Sequence, residues 1–158
     1  MAELVIRVAE GSDEGPLLVL ADRLAGFELP PWRTAANVIA SDAQAMLRSL
    51  HAGRPDDVVF VAERQGRPVG CLHILATSDF FGLHHAHVSV IATSAAAEGS
   101  GVGAALLQHA EAWARARDLP LLTLNVFAGN TRARQFYERA GMNVEFVKYA
   151  KPVAADRS

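Results

Sequence analysis

The stretch Glu98-Gly99-Ser100-Gly101-Val102-Gly103 places three alternate glycines between an apolar run and an amphipathic one, a pattern suited to holding an anion. Where no Cβ intervenes, successive backbone N–H groups can approach a phosphate, and a helix N-terminus adds unsatisfied donors and a favourable dipole. The helix follows at once. Val102, Ala105, Leu106, His109, Ala110, Trp113 and Ala116 recur at three- and four-residue spacing, with Gln108, Glu111, Arg115 and Arg117 on the other face. A nucleotide P-loop would need Lys and then Ser or Thr after its last glycine, and Ala104 and Ala105 stand there instead. A dinucleotide fingerprint is met in letters by Gly99, Gly101 and Ala104, but no acidic residue ends the next strand, and the loop lies in the second half of the chain. Cys71, among Val69, Gly70, Leu72 and Ile74, has no His at a motif-defined spacing and reads as a buried thiol rather than a nucleophile. In His84-His85-Ala86-His87 only His85 and His87 share a strand face, which is too few ligands for a metal site, so no metal is expected.

The elements that position these residues follow from periodicity and punctuation. The helix from Gly101 to about Arg117 is stopped by Asp118-Leu119-Pro120, and Leu121 to Phe127 then reads as a strand buried on both faces, with Asn125 its odd polar member. A short helix follows, with Asn130 as N-cap, Ala133, Phe136, Tyr137 and Ala140 on one face and Gly141 just past its end. Upstream, Leu4 to Val8 is a strand, and Ser12 or Asp13 caps a helix running to about Ala25. A Pro30-Pro31-Trp32 loop leads to a helix from about Thr34 to Leu50. Val58 to Glu63 and Val69 to about Thr77 flank the hairpin turn Arg64 to Pro68, His84 to Thr93 is another strand, and Val144 to Tyr149 a last one. The order βααβββαβαβ mixes hairpins with crossovers, so an α/β domain is expected over residues 1–158, a twisted mixed sheet flanked by about four helices.

Gly101-Val102-Gly103, followed by Asn130-Thr131-Arg132-Ala133-Arg134-Gln135-Phe136-Tyr137-Glu138-Arg139-Ala140-Gly141-Met142, resembles the GNAT superfamily of acyl-CoA-dependent N-acyltransferases. The first part is similar to that family's [Q/R]-x-x-G-x-[G/A] pyrophosphate loop and the second to its N-x-x-A-x-x-F-Y-x-x-x-G-[F/M] segment. The motif-bearing resemblance runs from about His84 to Met142. Glu98 stands where the family usually has Gln or Arg, which removes a donor and adds a charge of the wrong sign, so weakened cofactor binding is expected.

The resemblance implies transfer of an acetyl group from acetyl-CoA to an amine directly in a ternary complex, with the acyl-CoA core at about 84–142 and acceptor-site elements at about 1–57. It implies that backbone N–H groups of Gly99, Ser100, Gly101, Val102, Gly103 and Ala104 hold the pyrophosphate, that Ile91, Ala92 and Thr93 pair with the pantetheine arm, and that Asn125 and Asn130 supply amides nearby. A strand bulge would free a backbone N–H in the Val90 to Ala92 region for the oxyanion. Tyr137 is the implied proton donor to the departing thiolate, with packing against Phe136 the competing role. Many members carry a Glu on the strand matching His84 to Thr93, and this strand has none. His87, which alternates with Ser89, Ile91 and Thr93, is ranked first as general base, ahead of His73, His84, His85, Glu28 and a water relay. Phe27, Glu28 and Trp32, with the neighbouring prolines, are the expected acceptor-pocket lining, suited to a cationic amine. An acyl-CoA-binding regulatory domain is the alternative.

About half of the 158 residues are apolar (51%), 20% are charged, the net charge is −2, and there is one Cys. With no basic block, no polyanion surface is expected, so nucleic acid is not an anticipated partner. No run approaches the length a membrane span needs, and a single Cys rules out an intrachain disulfide, so a cytoplasmic protein is expected, with a homodimer plausible from the family.

Overall fold

A computed structural model describes residues 2–154. Five strands, β1 (Leu4–Val8), β2 (Asp57–Arg64), β3 (Arg67–Ser78), β4 (His84–Thr93) and β5 (Leu122–Leu124), lie side by side in chain order. The first four pair antiparallel through hairpins and a return, whereas β4 and β5 run parallel. That parallel pair needs a crossover, and α3 (Val102–Ala116) provides it. The helices α1 (Glu14–Ala21) and α2 (Ala35–Ala52) cover the opposite face, and α4 (Thr131–Arg139) follows β5. The expected helix to Ala25 is realised as α1 with 3-10 turns at Gly11–Asp13 and Asp22–Ala25.

Two apolar layers hold the sheet. On the α3 face, Leu72, Ile74, Ala86 and Val88 pack against Val102, Leu106, Ala110 and Trp113. On the α1–α2 face, Val59, Val61, Cys71, Val90 and Ala92 meet Leu17, Leu20, Ala43 and Met46. Thr34 caps α2 by accepting from the Asn37 N–H, and Gly53 ends it in the left-handed region. At the sheet's first edge, Arg7 donates two hydrogen bonds to Asp13, at 2.8 and 2.9 Å, tying β1 to the start of α1.

Three expectations are corrected. Residues 144–149 form no strand: they carry no ladder pairing and are exposed, and strand composition makes a strand only where an edge is paired. The strand expected over Leu121 to Phe127 pairs only at Leu122–Leu124 and is half-buried, since β5 has a neighbour on one side alone. The alternation of His87 with Ile91 and Thr93 is broken by a bulge. Ile74 pairs with Val88 but His73 with Val90, leaving Ser89 as the extra residue. Beyond it the faces exchange: His87 lies on the α1–α2 side, while Ile91 packs on the α3 side and Thr93 reaches toward Gly103 there.

Candidate active site

The glycine loop leaves a row of unspent donors. Gly99 and Gly101 adopt φ of +78° and +87°, conformations that a Cβ disfavours, and they turn the chain into α3. Within the helix the first N–H to find a carbonyl is that of Ala105, bonded to Gly101 O at 3.0 Å. The N–H groups of Gly99, Gly101, Val102, Gly103 and Ala104 have no backbone acceptor among the described residues. Ser100 is different. Its N–H bonds to Ala97 O at 3.1 Å, and Arg64 donates to its hydroxyl and carbonyl at 2.9 and 3.1 Å, so Ser100 anchors the loop rather than offering a donor.

Glu98 is not a bare negative charge. Its carboxylate accepts from Arg23 at 2.8 Å and pairs with Arg132 of α4, so two guanidinium groups flank the loop. Arg23 also donates to Thr93 O at 3.3 Å. Neither Arg23 nor Arg64 belongs to a sequence motif, and both reach the loop only through the fold.

Next to the loop, β4 and β5 part. Their register ends at Val88 opposite Leu124, the step before the Ser89 bulge, while β4 continues to Thr93. Beyond that step the ladder opens: no strand pairing joins residues 89–93 to 125–127 among the described residues. Asn125 is exposed beside it, which discards a role as a buried core amide. Asn130 caps α4 by accepting from the Ala133 N–H at 3.3 Å, and its amide N–H groups have no partner among the described residues. The Phe136 ring packs on Gly103, where an added Cβ would lie 3.5 Å from the ring. That contact joins α4 to the start of α3, and Tyr137, the next residue of α4, is half-buried and edge-on to Phe136 at 5.3 Å between centroids. Burial pushes the Tyr137 phenol up to about 12.

At the apex of the opening, His87 Nδ1 lies 2.8 Å from Thr123 Oγ1 across the β4–β5 pair. Burial lowers its pKa, with smaller contributions from His85 and His73. Its imidazole is therefore neutral near pH 7, and in the tautomer whose Nδ1–H donates to Thr123 Oγ1 the other nitrogen is an acceptor. His85, buried, donates Nδ1–H to Leu83 O at 3.1 Å, and its ring stands 6.3 Å from that of His87. His73 is bound to Asp57 at 2.7 Å and faces the α1–α2 side. Neither that carboxylate nor Asp42, whose pKa burial raises, was distinguishable in sequence from ordinary surface acids. Cys71 is fully buried, and burial pushes its thiol up to about 12, which removes it as a nucleophile.

The acceptor loop is only partly assembled. Phe27 stacks obliquely on Phe127 at 5.7 Å, and the Glu28 carbonyl sits so near Gly129 that a Cβ there would approach it to 2.6 Å. Phe27 and Glu28 thus border the opening. Trp32 is 47% exposed rather than packed inward.

The model of the acetyltransferase (GNAT) family matches residues 22–142, most of the chain. The protein belongs to the GNAT acetyltransferase family. No curated protein matches it in sequence. Among solved structures it is similar to a transcriptional regulator from Bacillus halodurans C-125, with 23% identity, TM-score 0.70, and coverage of 96% of this chain and 100% of that one. It is also similar to a GCN5-related N-acetyltransferase from Ralstonia eutropha JMP134, with 19% identity, TM-score 0.71, and 97% and 100% coverage. A third is the aminoglycoside N-acetyltransferase AAC(6')-Iy in complex with CoA, with 14% identity, TM-score 0.71, and 98% and 97% coverage. At these identities the likeness establishes the fold, a mixed five-stranded sheet with four helices, and family membership makes this GNAT chain an acyltransferase that takes acyl-CoA and an acceptor.

Proposed function

We propose that this enzyme moves the acetyl group of acetyl-CoA to a primary amine of a small molecule or peptide by direct transfer in a ternary complex. The observation that carries the reading is the row of unspent N–H groups from Gly99 and from Gly101 to Ala104, taken with Tyr137 of α4 and the β4–β5 opening. These donors hold the pyrophosphate, and Asn125 and Asn130 hold amides of the pantetheine arm as it passes Ile91, Ala92 and Thr93. The residues fit that group because the left-handed glycines keep Cβ atoms off the donor row.

The amine nitrogen attacks the thioester carbonyl carbon. His87 takes the amine proton, directly or through water, and a backbone N–H freed at the Ser89 bulge donates to the developing oxyanion. As the C–S bond breaks, the Tyr137 hydroxyl gives its proton to sulfur, and the phenolate is reprotonated from solvent. A pKa near 12 keeps Tyr137 fully protonated before the step. The backbone of Glu28 and the Phe27–Phe127 pair border the acceptor side, and the exposed Glu28 carboxylate suits a cationic amine. Acceptor elements before residue 57, an acyl-CoA core at 84–142, cytoplasmic location and a homodimeric state belong to the same reading. Among the described residues no helix is long and apolar enough to cross a membrane.

Calorimetric titration with acetyl-CoA, followed by a thiol-release screen against amines of several classes, tests it. Saturable binding with amine-dependent thiol release is expected. No binding at millimolar cofactor overturns the assignment, and binding without release from any amine class would favour a regulatory acyl-CoA-binding domain.

A further inference from the structure

A row of polar side chains crosses the α1–α2 face of the sheet strand by strand. Asp57 of β2 pairs in register with Leu75 of β3, Leu75 with His87 of β4, and His87 with Thr123 of β5. His73 stands two residues before Leu75 on the same face, diagonal to both Asp57 and His87. Such diagonals place Cα atoms about 7–8 Å apart, within reach of ring side chains. The row is bonded at both ends: His73 Nε2 lies 2.7 Å from Asp57 Oδ1, and His87 Nδ1 lies 2.8 Å from Thr123 Oγ1. Between those bonds two ring nitrogens are left over. One is His87 Nε2, the base of the proposed transfer. The other is His73 Nδ1, buried and without a hydrogen-bond partner among the described residues. An unpaired atom at that depth costs stability, so its retention needs a reason.

The surroundings of His73 suit it to hold a proton. In the tautomer whose Nε2–H donates to Asp57 Oδ1, Nδ1 presents a lone pair, and the carboxylate stabilises the imidazolium that forms when that lone pair is protonated. Burial pushes the Asp57 carboxyl up, but hydrogen bonds from Ser49 and His73 outweigh it and hold the group below its usual range, hence ionised. The other charged or titratable groups that act on the pair are Arg54 beside Asp57, Asp42 of α2, which interacts electrostatically with His73, and His85, whose ring is 6.3 Å from that of His87. We propose that His73 and Asp57 form a proton-holding pair behind His87. Once His87 Nε2 has taken the amine proton, that N–H bond breaks and a new one forms at His73 Nδ1, directly or across one water. His87 is neutral again, and the positive charge rests on His73 against Asp57. His73 keeps its Nε2–H on Asp57 throughout, and its Nδ1 proton passes to water once the products have left. His73 and Asp57 touch no reacting atom and are positioning residues that act through His87. The pair deepens the proposed acetyl transfer and rests on His87 as its base.

The test is His73→Gln, because the glutamine amide still donates to Asp57 but takes up no proton. Nitrogen NMR of the imidazole rings reads the pair in the full chain without cofactor or acceptor. His73 should carry its proton on Nε2 and gain the second at Nδ1 as pH falls, and the His87 midpoint should move in His73→Gln. A neutral His73 ring already protonated at Nδ1, or a His87 midpoint that stays in place, overturns the proposal. In single-turnover acetyl transfer the variant should be slower by roughly a hundredfold, the low end of what a positioned proton carrier contributes, and added N-methylimidazole should restore part of the rate. A slow, folded variant that the added base does not speed would show that His73 only ties β3 to β2, and would overturn the proposal. An inactive His87→Ala beside a fully active His73→Gln overturns the holding pair alone, whereas full activity in His87→Ala removes the base on which it rests.

Discussion

Two side chains carry proton transfer in the proposed reaction, and their environments drive them apart in acidity. The Tyr137 phenol, desolvated against Phe136, is pushed up to about 12 and so remains protonated throughout the working pH range. Tyr137→Phe keeps the ring packing but removes the proton, so kcat is expected to fall roughly ten- to a thousandfold with little change in cofactor affinity. Unchanged single-turnover rates would take Tyr137 out of the chemistry. His87 is shifted the other way: burial disfavours its charged form, so its pKa lies below the usual 6.5. Loss of the base by protonation should therefore appear in kcat/KM as an acidic limb with its midpoint below 6.5, and His87→Ala should abolish that limb. A limb that persists unmoved in the variant would assign it to another group, with His85 next in line because its ring lies 6.3 Å away.

At the level of elements, the loop between β4 and α3 shows how a residue of the wrong charge is accommodated. Glu98 binds Arg23 from the turn after α1 and Arg132 from α4, which offsets its charge and occupies two cations within reach of the donor row. Glu98→Gln frees both guanidinium groups for phosphate, and CoA should bind about three- to tenfold tighter by calorimetry, an effect of the size one charge-assisted contact supplies. Weaker binding would mean that the carboxylate acts chiefly by ordering the arginines. The loop itself was legible in the sequence because glycine spacing and a 3.6-residue pattern are local properties, and Asn130 was legible as a cap for the same reason. The arginines were not, since Arg23 and Arg64 reach residues 98–100 only through tertiary contacts. The Ser89 bulge was hidden too: a strand's period of two gives no sign of where its partner slips, so Ile91 and Thr93 were assigned to the wrong face. Val144 to Tyr149 has strand composition, but a strand exists only against an edge, and composition does not say whose edge.

Across the whole molecule, titratable groups in different surroundings respond oppositely to acid. Asp13 is held below the usual carboxylate range by Arg7, against the pull of burial. In Asp57 burial acts upward, but hydrogen bonds from Ser49 and His73 and the charges of His73 and Arg54 outweigh it. Both residues therefore contribute stability that is present above pH 3.8 and lost as pH falls through their lowered native values. His87 acts in the same direction from 6.5 downward, because protonation is easier in the unfolded chain. Asp42 has the reverse sign. Its pKa is raised by burial on the α1–α2 side, so the native state gives up its proton later than the unfolded chain does. Stability is then lost as pH rises from 3.8 through its native value, and the full penalty is present at neutral pH. Asp42→Asn should raise the Tm at pH 7 by about 1 to 3 °C, as removal of a fraction of a kcal/mol to 1 kcal/mol does in a domain of this size. Thermal melts of both proteins from pH 8 to pH 3 should give curves that are separated at neutral pH and converge on the acid side, below the native value of Asp42. Parallel curves would show that the gain comes from elsewhere than the ionisation of Asp42.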